Sequence, residues 1–301
     1  MAGLKNIKLK IQSVKKTRQV TRAMEAVSAV KMRKAQEQAL GSRAYARAAM
    51  RILANVAGTK SLNDHPLMHT GAPERTAIVL VTSDKGLAGS LNSAVLKKAD
   101  LILKDTQVKP VFLCLGRRGL EYAQRRGEVV YQNINLSDTV EENQLNALTE
   151  KALGLFMSGE VSRVAMLYTN FRSTFEQEAT MRELLPLSPV ALAELVAGIT
   201  PEKGLYAPEG PEGQPVASYT VEPSAEEVLN EILPRLVNIT VFHALLESKA
   251  SEHSARMVAM KNATDKAGDV VKSLNLAYNK ARQAAITAEV SEITSGIEAM
   301  K

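Results

Sequence analysis

At 301 residues, 45% of them hydrophobic, the chain can fill two ordinary domains with a real core, and its single cysteine, Cys114, excludes an internal disulfide. Aromatic residues make up only 4% and Trp is absent, a balance that favours long helices over an all-β build. The net charge of +6 is lopsided: Met1 to Arg51 holds 13 Lys or Arg against Glu25 and Glu37, so this segment carries +11 and the remainder −5. Such a basic segment suits nucleic acid, an acidic protein surface or plain solvation.

The start, MAGLKNIKLK, has no apolar stretch behind its charges and does not read as a signal peptide. No run approaches the ~18 apolar residues of a membrane span, so membrane association is expected only through partners. Residues 1–57 contain no proline and carry a heptad seam. Its positions are Leu4, Ile7, Ile11, Val14, Arg18, Thr21, Glu25, Ser28, Met32, Ala35 and Ala39, continuing through Ser42, Ala46, Ala49, Leu53 and Val56. The 3,4 spacing predicts one N-terminal helix, roughly 80 Å long if unbroken. Residues 58–75 read as a linker. His65 and His69 in it are four apart, but Pro66 intervenes and no Cys accompanies them, so no metal is expected.

A central domain is predicted over 76–200. Apolar runs at 77–82, 110–116 and 163–171 suit strands, with a weaker candidate at 128–134. Helical patterns lie between them, at 90–104, 117–126 and 138–158. In the last, Asp138 and Glu141 form a plausible cap pair and Gly159 a stop. This alternation argues for a mostly parallel, Rossmann-like sheet covered by helices. Cys114, in PVFLCLG, is expected to be buried and inert.

The stretch AIVLVTSDKGLAGSLN (77–92) puts a glycine loop between a strand and a helix, the parts of a phosphate cradle. Yet Lys85 precedes Gly86 and Gly89, which are three apart, so neither a Walker loop nor a dinucleotide fingerprint is present. No catalytic motif occurs elsewhere. The loop is expected to be structural, with no cofactor and no active site in this chain.

Residues 201–223, PEKGLYAPEGPEGQPVASYTVEP, hold five of the eleven prolines and read as an irregular connection. A second long helix is predicted over 224–301, opened by a capping box of Ser224 and Glu227. Its seam runs Leu229, Ile232, Leu236, Ile239, His243, Leu246, Ala250, His253, Met257, Met260, Thr264, Ala267, Val271, Leu274 and Tyr278. The register crosses Pro234 without slipping, so a kink rather than a break is expected there. Two complementary stripes at the two ends of one chain predict an antiparallel two-helix coiled coil. After Tyr278 the seam thins to Ala281, Ala285 and Ala288, while a new stripe opens at Ile286, Val290, Ile293, Ile297 and Met300. The tip is therefore expected to outrun its partner helix and to sit in an apolar collar supplied by another protein.

The segments KIQSVKKTRQVTRAMEAVSAVKMRKAQ and SEHSARMVAMKNATDKAGDVVKSLNLAYNKARQAAITAEVSEITSG, with SDKGLAGSLNSAVLKK and ELLPL (183–187) between them, resemble the gamma subunit of bacterial F-type ATP synthases. The resemblance covers essentially the whole chain. It implies a central-stalk rotor standing inside the ring of alpha and beta subunits. The central domain would carry the epsilon subunit and the foot would rest on the membrane c-ring. Ion flow would turn the shaft, and ATP would be made on the beta subunits. The expected setting is the cytoplasmic face of the bacterial inner membrane, peripherally held. By the same match, Met24, Arg282, Gln283, Thr287, Glu289 and Glu292 are candidate rotor–stator contacts. Ile286, Val290, Ile293 and Ile297 would form the apolar tip in its sleeve. The tip has no use in a nucleic-acid binder, so no nucleic acid is expected as partner.

Overall fold

A computed structural model of the chain describes residues 2–56, 65–69, 74–104, 108–187 and 224–298. Over positions 40–56 it describes the backbone alone. The seam positions from Ser42 to Val56, Met300, the 201–223 connection and much of the 58–75 linker therefore lie outside the described side chains or residues. The elements are α1 (Ala2–Val56), β1 (Thr76–Val81), α2 (Leu91–Lys104), β2 (Val111–Leu115), α3 (Arg117–Ala123), β3 (Glu128–Asn133), α4 (Asn146–Met157), β4 (Arg163–Phe171), β5 (Gln177–Leu185) and α5 (Ala225–Glu298). Contacts divide the chain into two units, Met1–Ala29 with Arg256–Lys301, and Val30–Ala255. Both long helices contribute to both units.

In the first unit α1 and α5 form an antiparallel pair. The hydroxyl oxygens of Thr21 and Thr264 approach to 2.7 Å, and Gly268 lies beneath the Arg18 guanidinium, where an added Cβ would meet it at 3.5 Å. These two pairs set a register in which every seam position of α1 falls level with one of α5: Ile7 with Tyr278, Ile11 with Leu274, Val14 with Val271, Ser28 with Met257. Ile11, Thr21, Ser28, Met260, Thr264, Ala267 and Val271 are buried, and Leu4, Ile7, Val14, Leu274 and Tyr278 half-buried. The 3.5-residue spacing thus produces the predicted seam apart from Arg18, which is exposed.

The second unit is built on a five-stranded sheet in the order β3-β2-β1-β4-β5. β3, β2, β1 and β4 are parallel, and β5 runs antiparallel beside β4. Successive side chains of a strand point to opposite faces. Accordingly Val79, Val81, Leu113 and Met166 pack with α4 (Leu148, Ala152, Leu155) and with Leu229, Leu233, Leu236 and Val237 of α5. Ile78, Leu80, Phe112 and Leu167 pack with α2 (Val95, Ala99) and α3 (Leu120, Ala123) on the other face. Each fully buried Leu or Val stabilises the unit by about 1.5–3 kcal/mol. The sheet's inner cover is the first half of α5, so the α/β unit takes in parts of the terminal helices as well as 76–187. Ser248, Ser251 and Ser254 on that stretch are buried and bond the end of β4 and its turn: Ser248 Oγ accepts from Thr169 N at 3.0 Å, and Ser254 Oγ donates to Thr174 O at 2.6 Å.

Strands β1 to β4 fall where the apolar runs predict, whereas β5 was not anticipated as a strand. Its sequence, QEATMRELL, is polar on one face over most of its length, sets only Ala179 and Met181 against the core on the other, and is mostly half-buried, as befits a sheet edge. Ser224 caps α5 as predicted: its Oγ accepts from Glu227 N at 3.2 Å. The helix continues through Pro234 without a break.

The third helical segment differs from expectation. Glu141, not Asp138, is the cap, reciprocated by Gln144 at the head of a short 3-10 turn (Glu142–Leu145), and α4 follows. Asp138 instead binds Lys31 of α1, Nζ to Oδ2 2.6 Å, and lies 3.3 Å from His253 Nε2. Lys249 Nζ donates to Leu136 O at 3.2 Å beside it. Burial tends to raise the Asp138 carboxyl. The Lys31 hydrogen bond and charge, with His253 and Lys249, outweigh it and hold the group below its ordinary value of 3.8. A carboxyl lowered in the folded state is more protonated when unfolded, so its contribution is complete above the ordinary value and lost as pH falls further.

Two glycines have opposite roles. Gly116 joins β2 to α3 at φ +96°, and a Cβ there would lie 2.1 Å from Thr82 O. Gly154 lies inside α4 with nothing within 4 Å of an added Cβ. Gly116→Ala should destabilise by on the order of 3 kcal/mol, whereas Gly154→Ala should stabilise by about 1 kcal/mol; urea denaturation of both variants checks the opposite signs. In the same assay Asp138→Asn should lose less stability than the native chain between pH 5 and pH 3, because the titrating carboxyl is gone.

Candidate functional site: the uncovered end of the helix pair

Two places could carry function, the glycine loop and the tip of α5. In an α/β sheet of this order, ligands bind outside the carboxyl ends of the strands, where the order reverses. Here that point lies between β1 and β4, beside the loop that follows β1. Its polar groups are spent on the neighbouring helix. Asp84 Oδ1 accepts from Arg117 N at 2.9 Å, Ser83 O from Arg118 N at 3.3 Å, and Thr82 Oγ1 from Gly119 N at 2.7 Å. The first three amides of α3 are thereby occupied by protein rather than turned to an anion. Asn92 ties the loop to its own helix, accepting from Ser83 N at 3.0 Å and donating to Ser83 Oγ at 2.7 Å. The loop is a brace between α2 and α3.

Other candidate chemistry resolves similarly. Cys114 is fully buried, and burial pushes its thiol up to about 12, far from thiolate formation at neutral pH. His65 accepts from Leu67 N at its Nδ1 and faces Asn230 Oδ1 at 3.1 Å. It caps a short 3-10 turn, Pro66–Met68. Among the described residues no cluster of His, Cys, Asp or Glu could hold a metal ion.

The tip of α5 follows from the register. Leu4 falls level with about Ala281, and α1 begins at Ala2. From Ile286 onward α5 has no facing residue among those described. Ile286 is 51% exposed, Val290 57%, Ile293 64% and Ile297 58%. At 3.6 residues per turn this stripe lies roughly a third of a turn around the helix from Tyr278, Ala281 and Ala285. Arg282 and Glu289 border it on the side nearer the seam and Gln283 and Thr287 on the other. Arg282, Gln283, Thr287, Glu289 and Glu292 are all exposed. The Thr287 hydroxyl donates to Gln283 O at 3.0 Å and so belongs to its own helix. Met24 is half-buried on α1 and is not part of this group. It falls level with about Lys261, roughly 30 Å along the pair from Arg282.

The contact that fixes this geometry is polar. Thr21 and Thr264 are each more than nine-tenths buried. Thr21 Oγ1 donates to Arg18 O at 3.1 Å, and the Thr264 hydroxyl reaches both Thr21 Oγ1 and, at 2.8 Å, Met260 O. Paired hydroxyls buried within the polar stretch of the seam, Arg18 to Ser28, favour one register, because slippage would part them and leave the buried Thr21 hydroxyl against Val271 or Met257.

A helix pair with a polar register layer and a bare apolar tip, together with an α/β unit whose glycine loop is a brace, defines a stalk-type protein. The family model described as ATP synthase matches residues 3–300, and the chain belongs to this family as a gamma-type subunit, a component of the central-stalk rotor. Among solved structures it is similar to a chain of the central stalk and c-ring of Tetrahymena thermophila mitochondrial ATP synthase, with 25% identity and a TM-score of 0.53 over 81% of this chain and 99% of that one. It also shares the fold of a chain in the OSCP/F1/c-ring structure of Euglena gracilis mitochondrial ATP synthase, with 17% identity and a TM-score of 0.66 over 99% and 95% of the two chains. A chain of the rotor of the same Euglena enzyme matches with 16% identity and a TM-score of 0.60 over 95% and 99%. The protein is a peripheral component of a membrane complex, and among the described residues no helix is long and apolar enough to cross a membrane.

Thr21→Val and Thr264→Val should each destabilise the helix pair, and the double variant should reveal a coupling of about 0.5–1.5 kcal/mol between the two hydroxyls. Thermal unfolding of the four proteins in the cycle measures it.

Proposed function

We propose that the tip of α5 turns inside an apolar sleeve formed by a ring of alpha and beta subunits. In this reading ion flow through a c-ring, to which the rotor is fixed, drives rotation. The turning shaft forces the beta subunits through successive nucleotide states, so that ATP is made or hydrolysed there. The chain itself has no active site and binds no cofactor. The observation that carries this reading is the exposure of Ile286, Val290, Ile293 and Ile297 beyond the paired part of α5. A stripe of that kind in water is an aggregation liability, and seating it in an apolar collar removes the cost. The basic face of α1 suits an acidic surface on the surrounding ring, a contact that would be steered electrostatically and weakened by salt. The central α/β unit would carry the epsilon subunit. The resemblance of the terminal segments to bacterial members supports a place on the cytoplasmic face of the bacterial inner membrane, held there by partners.

Within this scheme Arg282 and Gln283 act as catches toward loops of the stator, through a charged and a neutral hydrogen bond. Thr287, Glu289 and Glu292 position them, and Met24 makes a separate contact lower on the pair. In complexes reconstituted into vesicles, Arg282→Ala and Gln283→Ala should lower the ratio of ATP-driven ion pumping to ATP hydrolysis, by up to about tenfold for the charged partner. An unchanged ratio in both variants would remove these residues from the coupling path. Ile293→Glu with Ile297→Glu should reduce incorporation of the chain into the complex, read by co-purification with alpha and beta subunits.

A further inference from the structure

The exposed apolar stripe of α5 begins below the tip. Leu276 is 72% exposed. It lies two residues from both Leu274 and Tyr278, on the side of the helix opposite the α1 seam. In heptads from Leu276 the same face carries Gln283, Val290 and Ile297, and between them Asn279, Ile286 and Ile293. All seven are exposed. The stripe is therefore a second 3,4 seam on one helix, with Leu276, Gln283, Val290 and Ile297 at a and Asn279, Ile286 and Ile293 at d. An apolar collar accepts side chains at any spacing, whereas strict 3,4 spacing is what another helix wound alongside requires.

The flanks of this seam fit a copy of the same helix. In a parallel, in-register pair the side chains at g approach those at e of the partner's next heptad. Here that sets Asn275 beside Lys280, Arg282 beside Thr287 and Glu289 beside Thr294, and no like charges meet. The hydroxyls of Thr287 and Thr294 donate to carbonyls of their own helix, Gln283 O at 3.0 Å and Val290 O at 2.8 Å. Covering them leaves neither hydroxyl unsatisfied. Gln283 would face its own counterpart, and a polar layer of that kind fixes register.

Direction follows from Leu276. An antiparallel overlap of Ile286–Ile297 with itself would leave Leu276 outside the contact, whereas a parallel pair sets it against its counterpart. The α1 helix lies on another side of α5 and does not obstruct either copy. Pairing with α1 also holds α5 helical beforehand, which lowers the ordering cost of a second contact. We propose that, outside the assembled complex, α5 docks a second copy of this chain through this seam as a parallel, in-register coiled coil, and that assembly exchanges the copy for the collar. The self-pairing stands on the seam alone; the exchange rests on the collar reading given above.

Sedimentation equilibrium of the isolated full-length chain, between about 1 and 100 μM, tests the self-pairing without any ring present. The mean mass should rise with concentration from one chain to two; isoleucine at successive d positions also admits a third copy, so a limit of three chains meets the expectation. Ile286→Asn with Ile293→Asn should raise the dissociation constant at least about tenfold. Both side chains are exposed, so circular dichroism melts of this variant should match the native chain. Cys114 is fully buried, so a cysteine introduced at the surface reports alone. Under mild oxidation Ile293→Cys should form an inter-chain disulfide, and Ser291→Cys, which points away from the seam, should not. A single-chain mass throughout, association undiminished in the Asn variant, or equal cross-linking at positions 291 and 293 would overturn the proposal. Incorporation into the complex is read separately, so the collar reading can fail while the self-pairing stands.

Discussion

The antiparallel register of α1 against α5 is the constraint on which the tip depends. Seam side chains repeating every seven residues can interlock at several offsets, and an apolar seam alone would discriminate weakly among them. Thr21 and Thr264 break that degeneracy, since their hydroxyls meet at 2.7 Å only in the observed register. Once it is set, the level at which α5 emerges from the pair is set as well. The change of apolar face after Tyr278 then falls where α1 no longer covers the helix. A shift by one heptad would either carry α1 alongside the first turns of the tip or leave Tyr278 without a facing residue.

Within the α/β unit the same accounting of backbone donors settles a different question. A glycine loop after the first strand of such a sheet is a familiar place for phosphate, because the following helix starts with unsatisfied amides. Here the loop crosses to α3 and satisfies that helix's amides with Asp84, Ser83 and Thr82. Gly116 is required in turn, since any Cβ would collide with the Thr82 carbonyl that the crossing brings close. The loop thereby braces α3 against the end of β1.

The polar groups of α5 between Val237 and Arg256 show why a long helix need not be uniformly amphipathic. Over this stretch it lies against the sheet and the helices around it. Ser248, Ser251 and Ser254 are buried because they bond the backbone at and beyond the end of β4, not because they belong to a coiled-coil seam. Asp138 joins the β3–α4 connection to Lys31 of α1 and His253 of α5, tying the loop to both helices. These contacts bring together residues far apart in sequence: Lys31 and Asp138 are separated by 107 positions.

The sequence by itself determined the elements whose signal is local and periodic. Every 3.5-residue seam position from Leu4 to Val14 is buried or half-buried, and the apolar runs at 77–82, 110–116 and 163–171 are strands. The bare stripe on α5 was legible for the same reason: the angular position of a side chain on a helix depends only on its number. Tertiary structure alone decided the rest. β5 carries too little apolar alternation to announce itself, because an edge strand is defined by its neighbour β4 rather than by its own composition. Asp138 looked like a helix cap because caps are local, but a lysine more than one hundred residues away offers a charged partner that a backbone amide cannot match.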